Sequence, residues 1–575
     1  MNTDSTLLQS PSLFLQRGTT QDDIKIGGNP LKYAVSHRVA QDDIKVGGSN
    51  FKYMAVHQIV VIGGGYSGTI SAANSLKASS QYGVPTKVTI YEREAAAQRC
   101  GGLAYGRDSA LKGHYLNIQP HRLTIDRQHP EDCVEYLSKL RSCSVECVNK
   151  QNDISRHEYQ KYISHYLNKA LVHAPPGSVI DWKQEQVVNL KPDEGRVLIK
   201  TSNREKESGY HSAIVATGIQ LTKKPLGFIK STSERYIHSI YNPQSYEQIK
   251  SLSETRQPHG DAVVIGTGLS AFDAVIALRF QGFKGKIYCI SRECNIHYRY
   301  DKEHSHKVGK AKRPDFLDLV NKETKASEIE EWVIEYIKRE LRDRTLLAPD
   351  VNQGVHLENL MKGAEPFVSE LVAKLNPETS KYLLQTHKSA IGTHRVGVIP
   401  KVYDFVQGQQ DSGQCEFLKD NFVRVECDSD GVTYELESFG GTSKKCAVLI
   451  NATGDNQTYK PELVQELWVN LLKNKYASSH FLGGVKVDSF GRMISENGET
   501  VDNVYLSGPM TSGDAIERRG RLGAFLINTG ELRDRSEVSG KNAVSKKLGE
   551  LLEIAQNVPD SSGAYQRAKQ RVIKL

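Results

Sequence analysis

His57-Gln-Ile-Val-Val-Ile-Gly63-Gly-Gly65-Tyr-Ser-Gly68 is a run of apolar residues that ends in closely spaced glycines and leads into a helical pattern. The apolar run predicts a buried strand, and the glycines predict a tight strand-to-helix turn in which the backbone approaches a pyrophosphate resting on the helix N-terminus. About two hundred residues later the pattern returns as Ala262-Val-Val-Ile-Gly266-Thr-Gly268-Leu-Ser-Ala271. One such turn binds a dinucleotide, and two imply electron traffic between two of them.

The strand expected after each turn makes the sites unequal. Lys87-Val-Thr-Ile-Tyr-Glu92 ends in an acid a little over twenty residues beyond Gly68, where a carboxylate accepts hydrogen bonds from the two ribose hydroxyls of FAD or NAD. Gly285-Lys-Ile-Tyr-Cys-Ile-Ser291-Arg292 ends instead in a hydroxyl and a guanidinium, a pair suited to the 2′-phosphate of NADPH. A solvent-facing residue at either strand end is the plain alternative. The residue pattern thus assigns Gly63, Gly65, Ser67, Gly68 and Glu92 to the first nucleotide and Gly266, Gly268, Ser270, Ala271, Ser291 and Arg292 to the second.

Two short strands ending in Ala-Thr-Gly, at His211–Gly218 and Val448–Gly454, bracket the second turn. Their placement predicts a nucleotide domain inserted within another. The expected fold is α/β with two Rossmann-like domains: residues 56–220 and 456–575 form the FAD domain, and residues 221–455 the NADPH domain. The latter carries a helical insertion at about 315–385, where Ile329, Trp332, Val333, Tyr336 and Ile337, then Phe367, Leu371 and Leu375, recur at helical spacing as a core stripe. Residues 1–55 contain a 20-residue repeat, Gln21–Gly28 recurring as Gln41–Gly48. It reads as a β-rich, hairpin-like arm, with docking or oligomerisation as the functional alternative. Gly484–Asp488 and Val501–Gly513 predict a closing strand and a glycine-bounded loop, and Gly540–Ile554 an amphipathic helix.

Bulk properties set limits. With 575 residues, 38% of them apolar and 25% charged, the chain reads as an ordinary protein of two or three domains. No apolar stretch approaches the roughly 20 residues needed to span a bilayer, and the opening Met-Asn-Thr-Asp-Ser-Thr lacks a secretory layout, so a cytoplasmic location is expected. The nine cysteines form no Cys-x-x-Cys pair, and no metal is expected. The net charge of +8 and the basic run Lys302–Arg313 lack the interleaved aromatics of a nucleic-acid module. They suit an anionic cofactor or substrate as well.

Gly102-Leu-Ala-Tyr-Gly106 followed by Leu116-Asn117, then Ser155-Arg-His-Glu-Tyr159 opening a helix, then His394-Arg395 before Pro400, carry a narrower resemblance over about residues 57–560. With the order of turns and Ala-Thr-Gly strands, this pattern resembles the bacterial FAD/NAD(P)-binding flavoprotein monooxygenases, a family that includes aspartate N-monooxygenases and a FAD-dependent urate hydroxylase. The resemblance implies that Leu103, Leu116 and Asn117 lie against the flavin, that Thr217 and Gly218 mark the domain crossing beside it, and that Gly508-Pro509 caps its ribityl and pyrimidine end. Pro509 departs from the acid that many flavoproteins place there, and it has no N–H to donate.

The resemblance further implies N-hydroxylation of a small amino acid or related amine by way of a flavin hydroperoxide, with FAD, NADPH and O2, and with Asn117, His394 and Arg395 nearest the chemistry. Arg395 is the candidate partner for a substrate carboxylate, a structural ion pair being its alternative; His121 and Arg122 are further candidates. His238-Ser-Ile-Tyr241 echoes a monooxygenase linker without its upstream Phe-x-Gly. A small-molecule substrate is the expected partner, with no nucleic acid or membrane, and a homo-oligomer is left open. The competing readings are an NAD(P)H-dependent flavoprotein reductase, for which Cys100 is the candidate redox residue, and a nucleotide-sensing protein without turnover.

Overall fold

A computed structural model describes residues 56–545 apart from 194, 219–225, 255–259, 303, 305–309, 455–457 and 523–532. The repeat arm expected over 1–55 and the part of the expected C-terminal helix beyond 545 lie outside the described residues; 533–545 is helical.

The apolar run before the first turn forms the strand His57–Ile62, central in a six-stranded sheet. Its side chains alternate between two cores, as the two-residue period of a strand requires. Ile59 and Val61 pack with the helices Tyr66–Tyr82 and Arg156–Val172 on one face, whereas Val60 and Ile62 pack with Trp468, Val485 and Val504 on the other. Both faces being covered explains why this strand is continuously apolar. In sheet order the strands are Arg492–Ile494, Thr500–Leu506, Ser212–Val215, His57–Ile62, Thr86–Tyr91 and Val179–Lys183. The pairings are parallel except that between Arg492–Ile494 and Thr500–Leu506. The chain thus leaves this sheet after Val215 and returns to it at Arg492.

In the interval it builds a second, parallel sheet of five strands: Cys415–Lys419, Ile287–Ser291, Ala262–Ile265, Val448–Asn451 and Tyr236–Ile237. The same alternation sends Ala262 and Val264 to one core and Val263 and Ile265 to another. In each sheet the strand before the glycine turn sits between the strand that follows the turn helix and the strand that leads to Ala-Thr-Gly. Two small sheets, of three and four strands, complete the β structure.

The helices Ala326–Leu347, Gln353–Lys374, Pro377–Thr386 and Lys388–His394 extend the helical segment beyond residue 385. Ile329, Trp332, Val333, Leu371 and Leu375 share a separate small core with Val320 and Phe316. Gly484–Asp488 is not a strand: Val485 and Val487 make only isolated bridges to Ser479 and Met493. Ser155 opens its helix through a capping box, accepting from the Glu158 N–H at 3.2 Å while its own N–H donates to Glu158 Oε2 at 2.8 Å. Among the described residues no helix is long and apolar enough to cross a membrane, and no group of three or more His, Cys, Asp or Glu side chains is placed to hold a metal.

Candidate functional site

The first turn is stitched to its neighbours by backbone hydrogen bonds: the Gly63 N–H donates to Tyr91 O at 2.8 Å, and the Ala216 N–H to Ile62 O at 2.8 Å. Gly63 has φ +101°, and a Cβ there would overlap the carbonyl oxygen of Ala216. A Cβ on Gly68 would overlap the carbonyl oxygen of Gly63, so the third glycine sets how closely the helix crosses the strand end. Beside the turn opens a cleft walled by the glycine turn, the end of the second strand and the Gly101–Ala104 segment.

Gly63, Gly65, Ser67, Glu92, Leu103, Thr217, Gly218 and Pro509 all line this cleft. Gly508 stands next to it, its α-carbon facing the Ser67 hydroxyl so closely that a Cβ would lie 3.0 Å from Oγ. Leu116 and Asn117 are not among the lining residues. Glu185, Gln186 and Val187 line it unforeseen; they follow the strand Val179–Lys183, whose pairing with Thr86–Tyr91 brings them to the same sheet edge.

Glu92 does more than face a ribose. Its Oε2 accepts from the Gly64 N–H at 2.8 Å and its Oε1 from the Glu94 N–H at 3.0 Å, and burial raises its pKa against the opposing pull of those two amides. The acid therefore fixes the turn as well as marking the strand end.

The second turn repeats the backbone. The Gly266 N–H donates to Ile290 O at 2.7 Å, and the Ala452 N–H to Ile265 O at 3.0 Å. Gly266 has φ +123°, and a Cβ would come within 2.8 Å of Ala452 O. The strand end differs: Thr267 Oγ1 and Ser291 Oγ lie 2.9 Å apart, Thr267 Oγ1 donates to Asn295 O at 3.0 Å, and the Cys294 N–H donates to Ser291 Oγ at 3.0 Å. Arg292 is exposed beside them.

The expected carboxylate-binding group is engaged elsewhere. Arg395 is buried, its Nε donating to Glu365 Oε1 at 2.7 Å with a second bond from Nη2 to the same oxygen, while Arg521 Nη1 reaches Glu365 Oε2 at 2.9 Å. A guanidinium held this way by a buried carboxylate is not free for a substrate, which corrects the expected role of Arg395. His394 is exposed. Asn117 does meet this stretch: its Oδ1 accepts from the Ile399 N–H at 3.4 Å.

Next to it is a polar cluster that the sequence did not announce. Glu358 is buried; Tyr300 Oη donates to its Oε2 at 2.9 Å, and Tyr298 and Lys362 bond to it as well. Arg122 is accessible; partial desolvation lowers its pKa, and Glu358 and Tyr300 oppose that shift, which sets it beside the cluster. The Glu358 and Lys362 spacing on one helix was a legible signal.

The first cleft fits a flavin dinucleotide. It offers a bare backbone at Gly63–Gly65, the Glu92 acid and Pro509 in its lining. Just past Pro509, the buried Ser512 hydroxyl has no hydrogen-bond partner among the described residues. The second turn, with its hydroxyl and cation, fits a phosphorylated nicotinamide dinucleotide.

Residues 60–220 match the model of a FAD-NAD(P)-binding family. No curated protein matches the sequence. Among solved structures, the ornithine N-hydroxylase of Kutzneria sp. 744, with reduced FAD, NADP+ and L-ornithine, is 14% identical over 86% of this chain and 100% of that one, at a TM-score of 0.53. The reduced form of ornithine hydroxylase from Pseudomonas aeruginosa is 15% identical over 84% of this chain and 100% of that one, at a TM-score of 0.50. A bacillithiol disulfide reductase from Staphylococcus aureus aligns over 86% of this chain and 99% of that one, with 12% identity and a TM-score of 0.43. Residues 60–220 thus match a FAD-NAD(P)-binding domain, and the chain shares its fold with the ornithine hydroxylases.

Proposed function

We propose that the protein is a FAD-dependent, NADPH-using monooxygenase that N-hydroxylates the amine of a small amino acid or related metabolite. The observation that carries this reading is the unlike pair of strand ends, a carboxylate at Glu92 and a hydroxyl with a guanidinium at Ser291 and Arg292, on two otherwise matching turns. The pair gives electron flow a direction, from the second site to the first. Overall the amine, O2, NADPH and a proton give the hydroxylamine, NADP+ and water. The flavin, when bound, supplies the electron transfer and the activation of O2; the chain supplies binding, orientation and a site closed to water.

The disulfide-reducing form of the reductase alternative needs an attacking thiolate. Cys100 is buried, and burial pushes its thiol up to about 11, so at neutral pH it stays protonated; Cys133, also buried, is held still higher by the same cause. Neither is poised for disulfide chemistry.

In place of Arg395, Arg122 takes the role of holding a substrate carboxylate. It is accessible, follows Asn117 closely in sequence, and bidentate pairing is what a guanidinium does best. Asn117 and the Gly102–Tyr105 loop are assigned to the flavin side, with Gly63, Gly65, Ser67, Gly68, Glu92, Thr217 and Gly218 holding the FAD and Gly266, Gly268, Ser270, Ala271, Ser291 and Arg292 holding NADPH.

The test is to incubate purified, FAD-loaded protein with NADPH, labelled O2 and a panel of small amino acids, and to follow products by mass spectrometry. One labelled oxygen atom in a product amine supports the reading. NADPH oxidation with no oxygenated product under any substrate overturns it in favour of a reductase, and nucleotide binding without oxidation favours a sensor.

A further inference from the structure

Arg156 opens the helix Arg156–Val172 of the first nucleotide domain, and Asp273 lies in the helix Leu269–Phe280 that follows the second glycine turn. The two side chains are joined across the domains by an ion pair of 2.5 Å between Nη2 and Oδ2, with only 15% and 7% of their side-chain surfaces exposed. Each end of this pair is tied to a nucleotide turn. On the first side Arg156 Nη1 donates to the carbonyl of Ala104, in the Gly102–Tyr105 segment whose Gly102 packs against Gly65. On the second side Tyr241 Oη donates to Asp273 Oδ2 at 2.8 Å and lies 3.1 Å from the hydroxyl of Ser270, at the start of the turn helix, from which it can accept. The Arg156 guanidinium lies over the Tyr241 ring, 5.1 Å from its centroid. His114 adds a bond between its Nε2 and the Asp273 carbonyl oxygen at 3.2 Å.

The chain Ala104, Arg156, Asp273, Tyr241, Ser270 is therefore a continuous set of direct contacts from one glycine turn to the other. A buried ion pair whose remaining hydrogen-bonding capacity is met has one preferred geometry and resists small displacement. We propose that Asp273 is a positioning residue: with Arg156 and Tyr241 it sets the spacing between the two dinucleotide turns, so that occupation of the second turn is transmitted to the Gly102–Tyr105 segment beside the first. This inference rests on the reading of the second turn as the NADPH site.

Hydrogen–deuterium exchange of the FAD-loaded protein, with and without NADP+, tests it through the backbone amides. In the wild type NADP+ slows exchange both in a peptide spanning 266–271 and in one spanning 101–106. In Asp273→Asn the protection at 266–271 persists and that at 101–106 is lost. Tyr241→Phe, which removes a single hydroxyl, gives a partial loss and covers the case in which Asp273→Asn fails to fold. In the same variants anaerobic flavin reduction at saturating NADPH slows by about tenfold, because small misplacements of reacting groups are costly to rate, while the NADPH concentration for half-saturation stays nearly unchanged.

Full protection at 101–106 in both variants, or none there in a wild type whose 266–271 is protected, overturns the joint alone. No protection at 266–271 in the wild type overturns the NADPH reading, and the joint with it.

Discussion

The two glycine turns share one backbone design and part company at the side chains. In both, the first glycine has a positive φ and donates to the carbonyl of the adjoining strand, and the alanine of an Ala-Thr-Gly segment closes over it from the other side. They differ at two points. Gly68 has no room for a Cβ, whereas its counterpart Ala271 carries one in a fully buried position. A carboxylate accepts from the Gly64 amide at the first strand end, whereas at the second the Thr267 and Ser291 hydroxyls fill the same place. The backbone sterics at the first glycine are thus common to both turns, whereas the third position and the end of the second strand set the two apart.

The sharpest way to break this comparison is to exchange the third residue. Gly68→Ala drives a methyl into the Gly63 carbonyl, where backbone rather than a flexible side chain must yield. The cost is about 3 kcal/mol, the upper part of the overpacking range, together with loss of FAD from the purified protein. Ala271→Gly at the second turn costs only about 1 kcal/mol, the helix penalty of glycine, and leaves FAD content unchanged. Denaturant midpoints and the flavin absorbance of the two variants check this, and equal losses would mean that the turns are not differently packed.

These turns were legible in the sequence because they are local. Glycine spacing, an apolar run before it and the residue that ends the next strand all lie within about thirty residues, and backbone sterics leave few alternatives for such a pattern. What escaped was non-local. For Arg395 the sequence leaves a substrate carboxylate and a structural ion pair both open, because the deciding partner Glu365 lies 30 residues away on another helix, and Arg521 lies 156 residues from that glutamate. Asp273 was one acid in an apolar helix until folding set it against Arg156, 117 residues distant in the chain. The Tyr241 motif, incomplete as a pattern, turned out to meet the second turn directly through Ser270. A charge's role depends on which opposite charge the fold brings to it, and spacing in sequence does not encode that.

The second expected effect concerns cofactor choice. Arg292→Ala removes the exposed guanidinium beside Ser291 and, on the NADPH reading, erodes the preference for NADPH over NADH by roughly ten- to hundredfold, the worth of one or two charge-assisted hydrogen bonds at about 1.5–3 kcal/mol. Since Arg292 makes no ion pair among the described residues, the denaturant midpoint should not move. Kinetics with both nucleotides and a thermal melt check the two halves, and an unchanged preference would leave the two strand ends different in structure but not in selectivity.

The smallest effect, and the one that isolates the strand ends from any ligand, is in the pH dependence of stability. Burial raises the pKa of Glu92 in the folded protein, so the folded state binds a proton more readily at this position than the unfolded chain, whose carboxyl titrates near about 4.3. The contribution of Glu92 is then fully present below that value and is lost as the pH rises through the folded pKa. FAD-free wild type should therefore gain stability relative to Glu92→Gln on acidification from neutral pH toward the ordinary carboxylate range. Ser291→Ala, at the matching place in the second turn, should run parallel to wild type because it removes nothing that titrates. Adding FAD should flatten the difference, since ribose hydroxyls donating to the carboxylate favour its charged form. Denaturation curves of the three proteins over that pH range decide the matter: parallel curves for wild type and Glu92→Gln would mean that the Gly64 and Glu94 amides already offset the burial of the charge, leaving the acid to select the ribose without a stability cost.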